Sequence, residues 1–388
     1  MTASNASLAV ATGQPPSYAP DFQRPVYCLL GLPFDAVTTA EAEQLALDAA
    51  AARRRCFFST PNLNFLIAAL SDTPFRLSVL RSDLSLADGM PIIWMARALG
   101  IPLTERVAGS TVFEGLRAQR RAPLRVYLFG GPDGVAARAA EVINAEHGAM
   151  VCVGSSSPGF GSIAQMSSPA QLAAINDSGA DFLLVALGAQ RGQAWIEHNL
   201  AALQVPVVSH LGAVINFVAG NIKRAPPRWG ALGLEWLWRI KEEPTLWRRY
   251  YRDGLALLRL AGGKVLPGLL AQRRARARIA QAPAPQLTVH RQGAQATLVL
   301  AGEWHAAQLA PLRAALAEST ATPSDIVLEL DQVSGLDSAT LGLLLLLFGH
   351  QSRLQRGFRI ASLSDAARRD LDLACVNYLL QPLSTSPS

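Results

Sequence analysis

Cysteine, charge and long apolar runs are all scarce in this 388-residue chain. The four cysteines, Cys28, Cys56, Cys152 and Cys375, stand far apart with no C-x-x-C pair. That spacing argues against a disulfide framework or a structural zinc site and fits a reducing compartment. The six histidines are dispersed and offer no zinc-ligand cluster. No D-x-D pair in the first 220 residues suggests a chelated metal–diphosphate unit. No G-x-G-x-x-G or G-K-[ST] segment occurs, so neither a dinucleotide nor an ATP site is indicated. The longest apolar run, Leu341 to Phe348, is too short to span a bilayer. The first twenty residues lack the basic start and apolar centre of a secretory signal and read as a flexible tail. The expectation is a soluble or at most peripheral protein.

Half the residues are hydrophobic and 16% are charged, which is the balance of a globular chain, here long enough for two domains. The net charge of +6 points to an anionic partner such as a nucleotide, a lipid headgroup or a nucleic acid.

From Pro25 to about Gly220, apolar strand-like runs alternate with stretches of helical spacing. VYCLLG (26–31), CFFS (56–59), RVYLFG (125–130), MVCVG (150–154), DFLLVALG (181–188) and PVVSHLG (206–212) are the candidate strands. Several are unbroken apolar runs ending in glycine, as expected of strands buried on both faces. The alternation predicts an α/β domain over 25–222 with a Rossmann-like, mostly parallel sheet. Ligands of such sheets bind at the carboxyl ends of the strands. Residues 1–24 are assigned to the tail.

Residues 223–272 form a helical basic-aromatic appendage. Trp229, Trp236, Trp238, Trp247, Tyr250 and Tyr251 alternate there with arginines and lysines. Such a mixture suits a membrane–water interface. It also suits aromatic packing against the sheet domain with solvated arginines, and base stacking is a third use. The contact favoured is a membrane or lipid, with no nucleic acid. Residues 273–286, basic and then QAPAPQ, read as a linker. A smaller α/β pattern fills 287–388.

The segments STPNLNFLIAAL (59–70), LADGMPIIWMARALG (86–100), ERVAGS (105–110), YLFGGPDGVAARAAEVI (127–143), NFVAGNIKRAP (216–226) and GLEWLWRIKEEPTLWRRY (233–250) resemble, in that order, the WecG/TagA/CpsF glycosyltransferases, family 26. The resemblance implies an inverting, metal-independent transfer from a UDP-sugar substrate to a polyprenyl-diphosphate-linked acceptor, with no cofactor. It places the protein on the inner face of the cytoplasmic membrane, in surface or exopolysaccharide synthesis.

Glycosyl transfer needs a base for the acceptor hydroxyl, donors for the sugar and stabilisation of the leaving diphosphate. By resemblance Asp88 is the general base. The plainer reading is a cap on the helix starting near Met90. Thr60, Asn62 and Asn64 follow a strand and suit sugar hydroxyls, or else Thr60 or Asn62 caps the next helix. Arg106, with Gly109 and Ser110, is a candidate diphosphate or uridine contact. Gly130 and Gly131 lie in a β–α turn whose amides could cradle phosphate. Gln190, Gln193 and Asn216 complete the donor set. Arg224, Arg239 and Arg249 are assigned to the acceptor diphosphate or the membrane.

Two departures from the family pattern stand out. AQRGQAW (189–195) replaces a proline–basic–Gln–Glu segment, putting Gln193 where a glutamate is usual. GAVINF (212–217) keeps only the amide Asn216 of a G-x-F-D/N pattern. They leave open an alternative, a catalytically weakened regulatory or docking protein.

LTVHRQGAQATLVLAGEW (287–304), SDIVLELDQVSGLDSATLGLLLLLFG (324–349) and RGFRIASLSDAARRDLDLACV (356–376) resemble a STAS domain, the fold of anti-sigma-factor antagonists. The resemblance implies a regulatory module that binds a protein partner or kinase. It makes Ser338 the phosphosite, at a helix N-terminus; the alternative is that Asp337 and Ser338 only cap that helix.

Overall fold

The computed structural model describes residues 20–120, 123–159, 161–222, 225–226, 229, 234–279 and 284–383, of which 274–279 by backbone alone. The chain opens with a hairpin, β1 (Val26–Leu29) and β2 (Leu32–Asp35), and helix α1 (Thr39–Ala51). Then come β3 (Cys56–Ser59), α2 (Leu63–Ser71), α3 (Thr73–Leu80), β4 (Leu84–Ser85), α4 (Met90–Ala98) and α5 (Gly109–Ala118). The first domain continues through β5 (Leu124–Gly130), α6 (Val135–Ala145), β6 (Met150–Ser156), α7 (Pro169–Asp177), β7 (Phe182–Ala186), α8 (Ala189–Asn199), β8 (Val207–His210) and α9 (Val214–Val218).

Strands β3 to β8 form one parallel sheet in the order β4-β3-β8-β7-β5-β6. Its strands bury both faces, as their unbroken apolar runs require: Phe58 and Phe182 enter the core under α1, α5 and α6, whereas Phe57, Phe129 and Trp195 fill the opposite one. Local chemistry sets the helix starts. Thr38 and Glu41 make a reciprocal capping box on α1, and Asp72 caps α3.

The appendage comprises α10 (Glu235–Glu242), α11 (Trp247–Leu260), a π-helical turn (Ala261–Val265) and α12 (Leu266–Ile279). The C-terminal domain holds β9 (Gln286–Gln292), β10 (Gln295–Trp304), α13 (Ala310–Thr320), β11 (Asp325–Leu336), α14 (Ser338–Arg353), β12 (Phe358–Leu363) and α15 (Asp365–Leu373). Its sheet runs β12-β11-β10-β9, antiparallel only at the β9–β10 hairpin.

Three boundaries differ from the sequence reading. VYCLLG is not a strand of the parallel sheet: β1 pairs only with β2, antiparallel, turning at Leu30 and Gly31 with positive φ. The tail assigned to 1–24 ends earlier than expected. Phe22 is fully buried in the C-terminal domain's core beside Val26, Cys28 and Leu80, and Arg24 pairs with Asp35. The linker expected at 273–286 is helical to Ile279, because the arginine-rich run has good helix formers and its first proline is Pro283.

Candidate functional site

The carboxyl ends of β3 and β4 bring the proposed transfer residues together. The Leu86 amide donates to the Ser59 carbonyl (2.8 Å) and the Asp88 amide to the Pro61 carbonyl (3.1 Å), so the Asp88 loop lies along the 60–64 segment. The Val107 amide donates to the Ala87 carbonyl (2.9 Å), which carries Arg106 to the same place. The helix-cap alternative for Asp88 is not what the structure holds: Gly89 occupies the N-cap of α4 and no side chain caps it. Asn62 does cap α2, accepting from the Phe65 amide at 3.1 Å. Thr60 is buried against Gly109, where a Cβ would lie 2.3 Å from Leu211 Cδ2 and 3.0 Å from Thr60 Cγ2. The glycine lets the start of α5 meet the ends of β3 and β8.

Asp88 is only partly exposed. Burial pushes its carboxyl up to about 6, opposed by the positive charges of Arg106 and Arg239 and reinforced by Glu235. Arg106 is ion-paired with Glu235 of α10. Burial pulls its guanidinium down, but the bond and charge of Glu235, with Asp88, outweigh that and leave it raised. A carboxylate poised near neutrality beside two arginines can take a proton from a substrate alcohol.

The appendage therefore closes over this end of the sheet. Besides Glu235, it contributes Asp253, which is buried, bonded to the Asn64 side chain and raised by desolvation. Neither acid was picked out from sequence. The available signal was an acidic residue kept within a basic segment.

Other expected donor contacts lie differently. Gln193 is sealed inside, its Nε2 donating to Ser59 Oγ at 3.0 Å, so it supports the end of β3 and is not a surface contact. Gln190 turns to Asp72 Oδ2 (3.3 Å). At the β5–α6 turn Gly130 and Gly131 have φ of +106° and +78°, a region favouring glycine. The Gly131 amide is spent on the Ala186 carbonyl (2.8 Å), so this turn ties β5 to β7 and that amide cannot cradle phosphate. Asn216, on α9, and Ser110, at the start of α5, stay on the strand-end rim of the sheet. Arg249 lies over the Tyr250 ring (5.0 Å) and beside Asp253, and Arg224 lies outside the described residues. Among the described residues no group of three or more His, Cys, Asp or Glu could hold a metal ion.

His210 stands at the end of β8. It is buried and held neutral, its imidazole pushed down to about 4 by desolvation, with Nε2 unpartnered.

Asp337 caps α14, accepting from the Thr340 amide at 2.8 Å. Ser338 Oγ instead donates to the Cys28 carbonyl of the hairpin (2.8 Å). A phosphate on Ser338 would set an oxygen without a proton against that carbonyl. Helix α14 is buried along nearly its whole length, so it is not a free docking face.

At the strand ends of this α/β sheet a carboxylate stands beside Arg106, and a basic helical appendage that carries Glu235 and Arg239 closes over them. Residues 27–269 match the family described as Glycosyl transferase WecG/TagA/CpsF, and residues 287–381 match a Mlab-type STAS domain. The chain belongs to the WecG/TagA/CpsF family of glycosyltransferases and carries a C-terminal STAS domain. A Bacillus subtilis (strain 168) protein, N-acetylglucosaminyldiphosphoundecaprenol N-acetyl-beta-D-mannosaminyltransferase, is 31% identical over 194 residues, 49% of this chain and 73% of the relative. The protein of the same name from Bacillus spizizenii (strain W23) is 27% identical over 195 residues, 50% and 74% of the two chains.

Proposed function

We propose that this enzyme moves a sugar from a UDP-sugar to a hydroxyl of a polyprenyl-diphosphate-linked saccharide at the inner face of the cytoplasmic membrane, in surface-polysaccharide synthesis. The observation that carries the reading is the Asp88 carboxyl, raised to about 6 and flanked by Arg106 and Arg239 beside the 60–64 loop. In the step proposed, the acceptor oxygen attacks the anomeric carbon and Asp88 takes its proton. The bond from that carbon to the UDP oxygen breaks with inversion, and the diphosphate leaves with both electrons. Arg106 and Arg239 offset the charge that builds on the leaving group. Thr60, Asn62 and Asn64 line the donor side. The names of the relatives, with their diphosphoundecaprenol acceptor, support the lipid-linked substrate.

The appendage supports membrane contact. Residues Pro244–Arg273 form a helical stretch long enough to cross a bilayer, and within it one 18-residue window has a mean hydropathy of 1.4 and is 6% buried. Its inner side packs Leu257, Leu260 and Val265 on the first domain. Its outer side exposes Trp247, Tyr251, Leu255, Leu258, Leu266 and Leu270 at helical spacing. An arginine-bordered stripe on a helix already packed to a globular domain suits lying in the interface plane.

The test is product formation. Purified enzyme is incubated with a panel of UDP-sugars and a polyprenyl-diphosphate-linked N-acetylhexosamine. Acceptor-dependent UDP release with one donor is expected, and no release with any pair would overturn the reading.

A further inference from the structure

Strand β4, which leads into Asp88, is two residues long and lies at the edge of the sheet, pairing only with β3. On its outer side no strand follows, yet its backbone is not left open. The Ser85 amide donates to Asp35 Oδ2 (2.7 Å), and Ser85 Oγ donates to the Pro33 carbonyl (2.6 Å). Asp35 thus stands where a neighbouring strand's carbonyl would stand. Its carboxylate is sealed from solvent and held by Arg24, whose Nε lies 2.9 Å from Oδ1 and whose terminal nitrogen lies 2.5 Å from Oδ2.

The hairpin that carries Asp35 is in turn backed by the STAS domain. At Gly342 of α14 a Cβ would lie 2.7 Å from the Val26 carbonyl oxygen, and at Gly349 one would lie 2.2 Å from that of Leu80. The same helix reaches the residues just before β4: Arg81 donates to Ser352 Oγ (2.7 Å), and Arg353 lies 3.7 Å from Asp83. Arg313 of α13 donates to the Arg24 carbonyl (3.0 Å). Tyr378 donates to the Gly31 carbonyl (2.8 Å). The STAS domain grips the hairpin that lies beside β4 and residues 80–83 that lead into it.

We infer that Asp35 is a positioning residue for Asp88, and that α14 of the STAS domain holds it in place. The inference rests on the transferase reading above for its catalytic consequence, but its structural part stands apart from it. A two-residue edge strand cannot fix a catalytic loop by pairing with one neighbour alone. Here Asp35 supplies the missing second edge, and the STAS domain supplies the missing second layer. The domain then acts within its own chain, through packing, on the site of transfer.

The test uses the full chain with three variants: Asp35→Asn, Ser85→Ala and Gly349→Ala, the last a wedge between α14 and Leu80. Two quantities are read. Hydrogen exchange is followed at the Leu86 and Asp88 amides and in β5 and β7. Steady-state kcat and donor KM are measured in parallel. Exchange at Leu86 and Asp88 is expected to rise about tenfold while β5 and β7 keep their protection. A displaced base lowers kcat on the order of 10²-fold with donor KM within about twofold. Unchanged exchange at Leu86 and Asp88 would overturn the inference. So would a uniform rise over the whole sheet, the mark of a general loss of stability. If Asp35→Asn does not fold, Gly349→Ala and Ser85→Ala carry the same readout. A wild-type enzyme that transfers no sugar would count against the transferase reading alone, because the exchange data would still decide the positioning role.

Discussion

Glu235 of the appendage is ion-paired with Arg106, the arginine beside Asp88, so the helical segment that closes over the site also shapes its electrostatics. Removing the Glu235 charge takes away a repulsion on the Asp88 carboxylate and frees a cation next to it. Both effects lower the Asp88 pKa. In Glu235→Gln the acid limb of the kcat/KM pH profile is expected to move to lower pH, and an unmoved limb would contradict the pairing.

Asp88 itself links stability to pH. Its carboxyl is raised from 3.8 to about 6 on folding. Below pH 3.8 it is protonated whether folded or not, and no penalty arises. Between pH 3.8 and about 6 the unfolded chain gives up this proton while the folded one keeps it, so stability falls by up to about 3 kcal/mol and stays at the lower level above 6. Asp88→Asn is therefore expected to unfold at a higher temperature than wild type at pH 8 and at nearly the same temperature at pH 3.5. A base purchased at the expense of stability behaves this way; a helix cap would show the opposite sign.

Membrane contact is tested on the outer stripe. Leu258 is 69% exposed, so Leu258→Glu is expected to leave thermal unfolding unchanged. It should weaken binding to vesicles containing anionic lipid by about tenfold or more, since one leucine's burial is lost. Wild-type binding should also fall as salt is raised. Vesicle binding that survives both changes would rule out this face.

Gly109→Ala probes the junction of β3, β8 and α5. The added methyl would collide with Leu211 and Thr60, which are themselves buried. A loss of about 1–3 kcal/mol in denaturant unfolding is expected, as for other overpacked cores.

The first domain was legible because β7 and residues 126–130 of β5 are unbroken apolar runs, and a strand buried on both faces writes that pattern directly into sequence. VYCLLG has the same composition but lies outside the sheet: Val26 and Cys28 bury in the core of the C-terminal domain, where α14 lies more than 300 residues away, and no local period records that. The site was legible in part for a related reason. Asp88, Thr60 and Asn62 sit in short segments whose order along the chain survives in the fold. Glu235, Asp253 and Asp35 act through tertiary pairs, and nothing within a few residues of each announces its partner. Gln193 shows the converse error, because a polar side chain after a strand end can point inward to Ser59 as readily as outward.

The most direct measurement compares wild type and Asp88→Asn for sugar transfer to the lipid-linked acceptor at pH 7.5, with donor affinity measured in parallel. General-base catalysis contributes on the order of 10²–10⁴-fold, so the variant should lose at least a hundredfold in kcat while binding the UDP-sugar as before. Equal turnover by both proteins would contradict the account.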